Sequence, residues 1–176
     1  MATASIVRGS SGIPALRGSG PVSFTRPNNT TAYTAGDVVS DSAGTFTPSL
    51  IFPLALAAGG GGYVVKAQLE TNSKTFLSQM RLYLFTSALV TVAGDNVAGT
   101  ILYANSPYRV GYLDFPTLAT GVGSGSTSSV AVWTGNIEFR CDASDTKLYG
   151  YLVDNTGSTP VAFQAFAVTL SADVYA

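Results

Sequence analysis

Apolar and polar residues alternate with a period of two in "YVVKAQLET", residues 63–71 of this chain. The polar members Lys66, Gln68 and Glu70 fall on one side of an extended backbone, and their neighbours fall on the other. Such alternation indicates a β-strand with one face in water and one face in a core. The segment therefore predicts a sheet that covers an apolar interior.

The segment "MRLYLF", residues 80–85, differs because both of its faces carry apolar bulk. One face carries Met80, Leu82 and Leu84, and the other carries Arg81, Tyr83 and Phe85. This pattern predicts a central strand with one side in the core and the other side partly covered.

Short β-favouring segments separated by turn residues continue along the rest of the chain. They are "PVSFTRP", "DVV", "SLIFPLAL", "TILYAN", "YRVGYLDF", "SSVAVWTGNIEFRCD", "KLYGYLVDN" and "PVAFQAFAVTLSADVY". In the first of them Val22, Phe24 and Arg26 share one face, and the flanking prolines suit a strand at a sheet edge. Roughly eight to ten close strands without a convincing helix predict an all-β, antiparallel sandwich or barrel. A length of 176 residues suits one domain.

The first twenty residues are rich in Gly, Ser and Arg and follow no period, which predicts a flexible N-terminal arm over 1–20 and a domain over 21–176. Residues 1–36 contain Arg8, Arg17 and Arg26 and no acid, whereas the rest of the chain has six basic and ten acidic residues. A basic arm on an acidic body would be a docking device, and a plain disordered leader is the alternative.

Composition narrows the classes of partner. The net charge is −1 and only 11% of residues are charged, so we expect binding neither to nucleic acid nor to an acidic membrane surface. The most apolar run, "LIFPLALAA", is nine residues long and contains Pro53. It is too short to cross a bilayer, and the first twenty residues lack the apolar core of a signal peptide. We therefore expect a soluble protein.

The absence of histidine removes the commonest general base and every Ser-His-acid triad. Cys141 is the only cysteine, so we expect a small buried hydrophobe and no intrachain disulfide. Glu138, Asp142 and Asp145 are the remaining candidates for a catalytic carboxylate pair, but adjacent basic residues favour an ordinary hairpin turn. We expect no enzyme, no catalytic residue and no cofactor.

Two loops carry the oxygen ligands that calcium prefers. They are Asp95-Asn96 and the pair Asp142 and Asp145, and neither shows the dense spacing of a dedicated calcium loop. Asx turns explain these residues more simply, and we expect no metal.

Four consecutive glycines, Gly59 to Gly62, precede Tyr63 and a predicted strand. A phosphate loop needs a following Lys-Ser/Thr pair and a helix, and both are missing here. We expect a corner in the chain, with a subunit contact requiring close backbone approach as a second interpretation.

Nineteen aromatic residues include tyrosines numerous enough to raise sugar stacking or a partner interface. The tyrosines concerned are Tyr103, Tyr108, Tyr112, Tyr149 and Tyr151. The alternative, which we favour, is that they are core and sheet-face residues.

Three segments in order resemble small structural proteins encoded in tailed-phage genomes, most closely capsid decoration (cement) proteins. They are "PVSFTRPNNTTAYTAGDVVSD", "MRLYLFTSALVTVAGDN" and "LYGYLVDNTGSTPVAFQAFAVTLSADVY", which together span most of residues 21–175. The resemblance implies a jelly-roll-like β-sandwich with a flexible N-terminal arm. It also implies a virion structural protein on the capsid surface, assembled in the bacterial host cytoplasm.

The resemblance further implies the major capsid protein and a homotrimer as partners, with the arm around Arg8 and Arg17 gripping the capsid. Arg26 belongs to the same basic stretch and is a further contact candidate. Tyr83 and Phe85 are candidates for burial between subunits. A head-fibre, tail or baseplate module that recognises host glycans is the alternative.

Overall fold

A computed structural model describes residues 15–44, 50–88, 92–121 and 125–175. Within these ranges the chain forms ten strands and one short 3₁₀-helix. The strands are β1 (Ala15–Thr25), β2 (Val38–Val39), β3 (Leu50–Pro53), β4 (Gly61–Thr71), β5 (Met80–Phe85), β6 (Arg109–Asp114), β7 (Ala119–Thr120), β8 (Ser129–Arg140), β9 (Lys147–Asp154) and β10 (Ala165–Tyr175).

The strands form two antiparallel sheets whose pairings are nested. Sheet 1 has the order β1-β10-β4-β8-β7, and sheet 2 has the order β2-β9-β5-β6 with β3 also paired to β9. The first strand therefore pairs with the last, β2 and β3 pair with β9, β4 pairs with β8, and β5 pairs with β6. A long hairpin folded over on itself gives this order, which is that of a jelly roll. The predicted all-β, jelly-roll-like sandwich is confirmed.

The core lies between the two sheets and is built from alternate residues of each strand. On β10, residues of one parity are buried and those of the other parity are half-buried. Phe166 and Val168 from sheet 1 belong to the same buried cluster as Leu82 and Leu152 from sheet 2. Cys141 is buried against this cluster as expected, and burial raises the pKa of its thiol to about 11.

Sequence patterns misplaced two elements. Residues 15–20, assigned to the arm, belong to β1, where Ala15 pairs with Val174 and Gly18 with Ser171. Residues of low β-propensity around the bulge between Gly18 and Pro21 hid this half of the strand. The segment "TILYAN" contributes to a 3₁₀-helix, Tyr103–Tyr108, instead of a strand.

No described helix is long and apolar enough to span a membrane.

The glycine run forms the corner that leads into β4. Gly59 has the left-handed φ of +71° and donates its N–H to the carbonyls of Asp142 and Asp145. Gly62 lies between β8 and β10, where a Cβ atom would collide with the carbonyl oxygen of Asp173. The predicted corner is confirmed, and the close approach lies within one chain.

Candidate functional site

Arg26 follows β1 and lies inside one end of the sandwich. Its Nη2 donates to Asp95 Oδ2 at 2.8 Å and its Nε donates to Asp95 Oδ1 at 3.2 Å, and both side chains are 0% exposed. Tyr33 donates its hydroxyl to Asp95 Oδ1 at 2.8 Å, and the Arg26 guanidinium lies 4.7 Å from the centre of the Tyr33 ring. We call Arg26, Tyr33 and Asp95 the buried pair cluster.

The prediction that Arg26 contacts a partner at the surface is therefore wrong. The alternation of Arg26 with Val22 and Phe24 turns it inward, and the Asp95 carboxylate compensates the buried charge. The pKa of the Tyr33 hydroxyl is raised far above its usual range, mainly by burial and next by the charge of Asp95. The cluster joins the end of β1 to the turn around Asp95.

The candidate calcium loops use their oxygens in protein hydrogen bonds. Asp95 accepts from Arg26 and Tyr33 and also from the Ser40 N–H at 3.1 Å. Asp142 forms an Asx turn by accepting the Ser144 N–H at 3.0 Å, as expected. Within the described ranges no group of three or more Asp, Glu or Cys side chains is arranged to hold a metal ion.

The candidate catalytic carboxylates Asp142 and Asp145 have lowered pKa values. Hydrogen bonds from Ser144 lower the pKa of Asp142, and a hydrogen bond from the Tyr149 hydroxyl lowers the pKa of Asp145. A general acid at neutral pH needs a raised pKa instead. Both groups therefore act as acceptors in a surface turn.

Part of the outer face of sheet 2, around Phe85, is covered by the chain itself. Phe85 is 0% exposed and packs in a second cluster with residues that include Tyr151 and Val92. Ile101 and Tyr108 come from the segment after the turn at Asp95-Asn96, and they pack against this cluster from outside. Phe85 is therefore wrong as a subunit-contact candidate, although the partial cover predicted for this face is confirmed.

Tyr83 lies at the border of the covered area and belongs to an exposed surface with Arg81, Tyr112 and Asp114. Tyr83 and Tyr112 are direct cross-strand neighbours, with ring centres 5.8 Å apart. The Arg81 guanidinium lies 4.0 Å from the centre of the Tyr112 ring and donates to Asp114 at 2.6 and 2.9 Å. We call these four residues the Tyr112 platform.

The side chains of the Tyr112 platform are held by contacts with one another, and Tyr112 is also accessible to solvent. The Tyr112 ring is 51% exposed, while Arg81 is held by Asp114 and by the ring beneath it. The pKa of Arg81 is raised mainly by its hydrogen bonds to Asp114. An exposed aromatic ring beside fixed polar groups suits a planar, hydroxyl-rich ligand. Of the five tyrosines singled out in the sequence, Tyr149 and Tyr151 are buried, whereas Tyr103 and Tyr112 are exposed.

The basic arm is represented in the described residues by Arg17, which lies half-buried on β1 opposite Ala172. Arg8 lies outside the described residues. Arg17 thus lies on β1 and Arg26 lies directly after it, and of these two residues only Arg17 is accessible.

A turn over residues 161–164 is the feature that sequence analysis missed. The Gln164 N–H donates to the Val161 carbonyl at 3.3 Å, and Phe163 has a φ of +53°. A left-handed third residue favours glycine in such a turn, and a side chain there costs about 1–2 kcal/mol. The Phe163 ring is nevertheless 58% exposed.

Two buried side chains hold this turn. Gln164 is 0% exposed, accepts the Val161 N–H at 3.1 Å and donates to the Thr71 hydroxyl at 2.8 Å. The Arg26 side chain donates from Nη1 to the Val161 carbonyl at 3.4 Å, and the Arg26 backbone N–H donates to the Gln164 carbonyl at 3.0 Å. The only sequence signal was that Gln164 shares the inward phase of Phe166. We call residues 161–164 the Phe163 turn.

No protein-family model matches this chain, and no curated protein matches it in sequence. Among solved structures, the chain is similar to one described as Israeli acute paralysis virus heated to 63 degree, full particle. The sequence identity is 12% and the TM-score is 0.31, over 93% of this chain and 72% of that chain.

Proposed function

We propose that this chain is a bacteriophage virion structural protein that decorates the assembled head and stabilises it as a cement protein. The observation that carries the proposal is the jelly-roll strand order, which runs through the same residues that resemble phage decoration proteins. Because one fold serves many functions, the resemblance of three segments in order gives the proposal its direction.

In this role the protein is not an enzyme and works by packing. Its partners are the major capsid protein and copies of itself, as a homotrimer on the capsid surface. A surface with few charges and many hydroxyl groups supports such a role, since its contacts need little desolvation of charge. The remaining contact candidates are Arg17, Tyr83 and the segment that contains Arg8.

The test is cosedimentation of the purified protein with assembled heads that lack it, followed by heating of the decorated heads. We expect binding and a higher temperature of head disruption. A deletion of residues 1–14 keeps β1 whole and isolates the segment with Arg8, and Arg17→Ser is the matched variant on β1. A wild-type protein that stays in the supernatant would contradict the proposal.

The second candidate function is a head-fibre, tail or baseplate module that binds host glycans. The Tyr112 platform favours it, because an exposed ring lies beside a carboxylate and a guanidinium. Binding to a glycan array that is lost in Tyr112→Ala and kept in Tyr103→Ala would support it. Tyr103 is a suitable control because it is 92% exposed and lies on the 3₁₀-helix.

A further inference from the structure

We propose that residues 15–20, the first half of β1, form a strap that detaches from β10 while the rest of β1 stays in sheet 1. Release of this strap presents Arg17, one of the remaining contact candidates, to the capsid partner. That use of the strap rests on the proposed function, whereas release itself does not and can be measured on the protein alone. We call residues 15–20 the β1 strap.

The two halves of β1 differ in how their side chains are buried. In the second half, Phe24 is 7% exposed and its ring stacks on Phe166 with ring centres 5.6 Å apart. Val22 packs against the same core cluster. In the β1 strap no residue is buried, and Leu16 is 71% exposed. Burial of apolar side chains is the main favourable term in folding, so it anchors the second half and not the strap.

Polar contacts of the side chains add little to hold the β1 strap. Within the described ranges, the side chain of Arg17 forms neither an ion pair nor a hydrogen bond. The Ser19 hydroxyl accepts the Leu170 N–H at 3.1 Å and donates to the Gly20 carbonyl at 2.7 Å. β1 is an edge strand, so the strap has a sheet partner on one side only. A segment held by exposed backbone pairing, with few buried contacts, opens at low free energy.

A bulge between Gly18 and Pro21 marks the point where the strap can separate. Gly20 has the left-handed φ of +70°, and Pro21 has no N–H to donate to the ladder. The strand pairing is interrupted there, so opening of the strap need not spread to Val22. β10 stays paired with β4 as far as Tyr175, and sheet 1 therefore keeps its other strands when the strap leaves.

Release changes what Arg17 can reach. In the closed strand Arg17 is half-buried and lies opposite the buried Ala172. Six released residues can extend by up to about 20 Å from the bulge. A guanidinium on such a segment is free to form a bidentate pair with a carboxylate of a partner. The strap therefore controls whether Arg17 is available for contact.

The first experiment measures amide hydrogen exchange of the wild type by NMR. It compares the most protected amide of residues 15–18 with the most protected amide of residues 22–25. We expect protection in the strap to be lower by about 100-fold or more, because its opening exposes no core side chain. The exchange rates of the strap should also change little in dilute urea, since local opening exposes little surface. Equal protection in the two halves would overturn release.

A disulfide between β1 and β10 locks the strap in place. Leu16 lies directly opposite Asp173, and Leu16→Cys/Asp173→Cys places two thiols within the range that a disulfide spans. The matched control, Ser23→Cys/Ala167→Cys, joins the same strands in the anchored half. Oxidation should raise protection of the strap about 100-fold in the first variant and leave it unchanged in the control. Unchanged exchange in the oxidised first variant, with its disulfide verified by mass spectrometry, would contradict release.

Cosedimentation with assembled heads tests the use of the strap. The oxidised Leu16→Cys/Asp173→Cys variant should bind heads about 10-fold more weakly or worse, because the lock removes the binding-competent state, and reduction should restore binding. The oxidised control should bind like the wild type. A locked strap that binds heads as tightly as the wild type would overturn its role in the contact. A wild type that never binds heads would overturn the decoration role and leave release of the strap standing.

Discussion

Within the described ranges the molecule contains two arginine–aspartate ion pairs of similar geometry in opposite surroundings. Arg26 and Asp95 are both 0% exposed, whereas Arg81 and Asp114 are 28% and 49% exposed. Each arginine donates two hydrogen bonds to its carboxylate and lies over a tyrosine ring. The difference in burial decides what each pair does.

The buried pair joins parts of the chain that are far apart in sequence, and water cannot replace either partner. The exposed pair joins the neighbouring strands β5 and β6, which their backbones already hold together. Removal of one partner therefore leaves an uncompensated charge in the first case and a hydrated charge in the second.

The largest effect is expected for Asp95→Asn, which keeps the shape of the side chain and removes its charge. The free energy of unfolding should fall by about 3–5 kcal/mol, because Arg26 is left charged and buried. Urea denaturation followed by circular dichroism measures this loss. Asp114→Asn is the matched control on the exposed pair.

The double variant Arg26→Met/Asp95→Leu sharpens the same comparison, since it removes both charges together. It should be more stable than Asp95→Asn alone. A double variant that is less stable than the single one would show that the hydrogen bonds of Tyr33 and Ser40, not the charge, dominate the cluster.

The next effect is a loss of stability in alkali, which should act on the buried pair through Tyr33. The folded state raises the pKa of Tyr33, so its contribution is complete below the unfolded pKa of about 10 and is lost as the pH rises above it. A stability profile from pH 8 to 11 should therefore fall more steeply in the wild type than in Tyr33→Phe. Equal slopes would place the alkaline transition at another group.

A smaller effect is expected for Asp114→Ala on the exposed pair. The loss should be about 0.2–1 kcal/mol and should shrink in high salt, because water and ions screen the charges. Paired measurements at low and high ionic strength test this, with Asp95→Asn as the variant whose loss persists in salt. A loss comparable to that of Asp95→Asn would erase the distinction between the pairs.

The smallest effect concerns acid. Hydrogen bonds in the turn lower the folded-state pKa of Asp142, so its contribution is present above the unfolded pKa of about 4 and is lost as the pH falls below it. Asp142→Asn should flatten the acid limb of the stability profile slightly. An unchanged limb would assign the acid response to Asp145 or other carboxylates.

The alternation of residues predicted most strands and put Arg26 in phase with Val22 and Phe24, but Arg26 was nevertheless predicted to be a surface contact. Alternation could not identify Asp95 as the partner, because the pair is closed by a loop 69 residues away. It also could not show that a later segment covers Phe85. Phe163 was assigned to a strand because "PVAFQAFA" alternates without a break. The turn is held by contacts to distant parts of the chain, among them the bond from Gln164 to Thr71 on another strand.

The nested strand order has a consequence for how the protein is made. β10 lies between β1 and β4, although it leaves the ribosome long after both of them. Until then β1 lacks its sheet partner and one side of β4 is unpaired, so sheet 1 cannot close during synthesis. Pairings between such distant segments form slowly and leave open strand edges exposed to aggregation. The chain is therefore protected against aggregation only once β10 has been added. Truncation before Ala165 should leave an insoluble product.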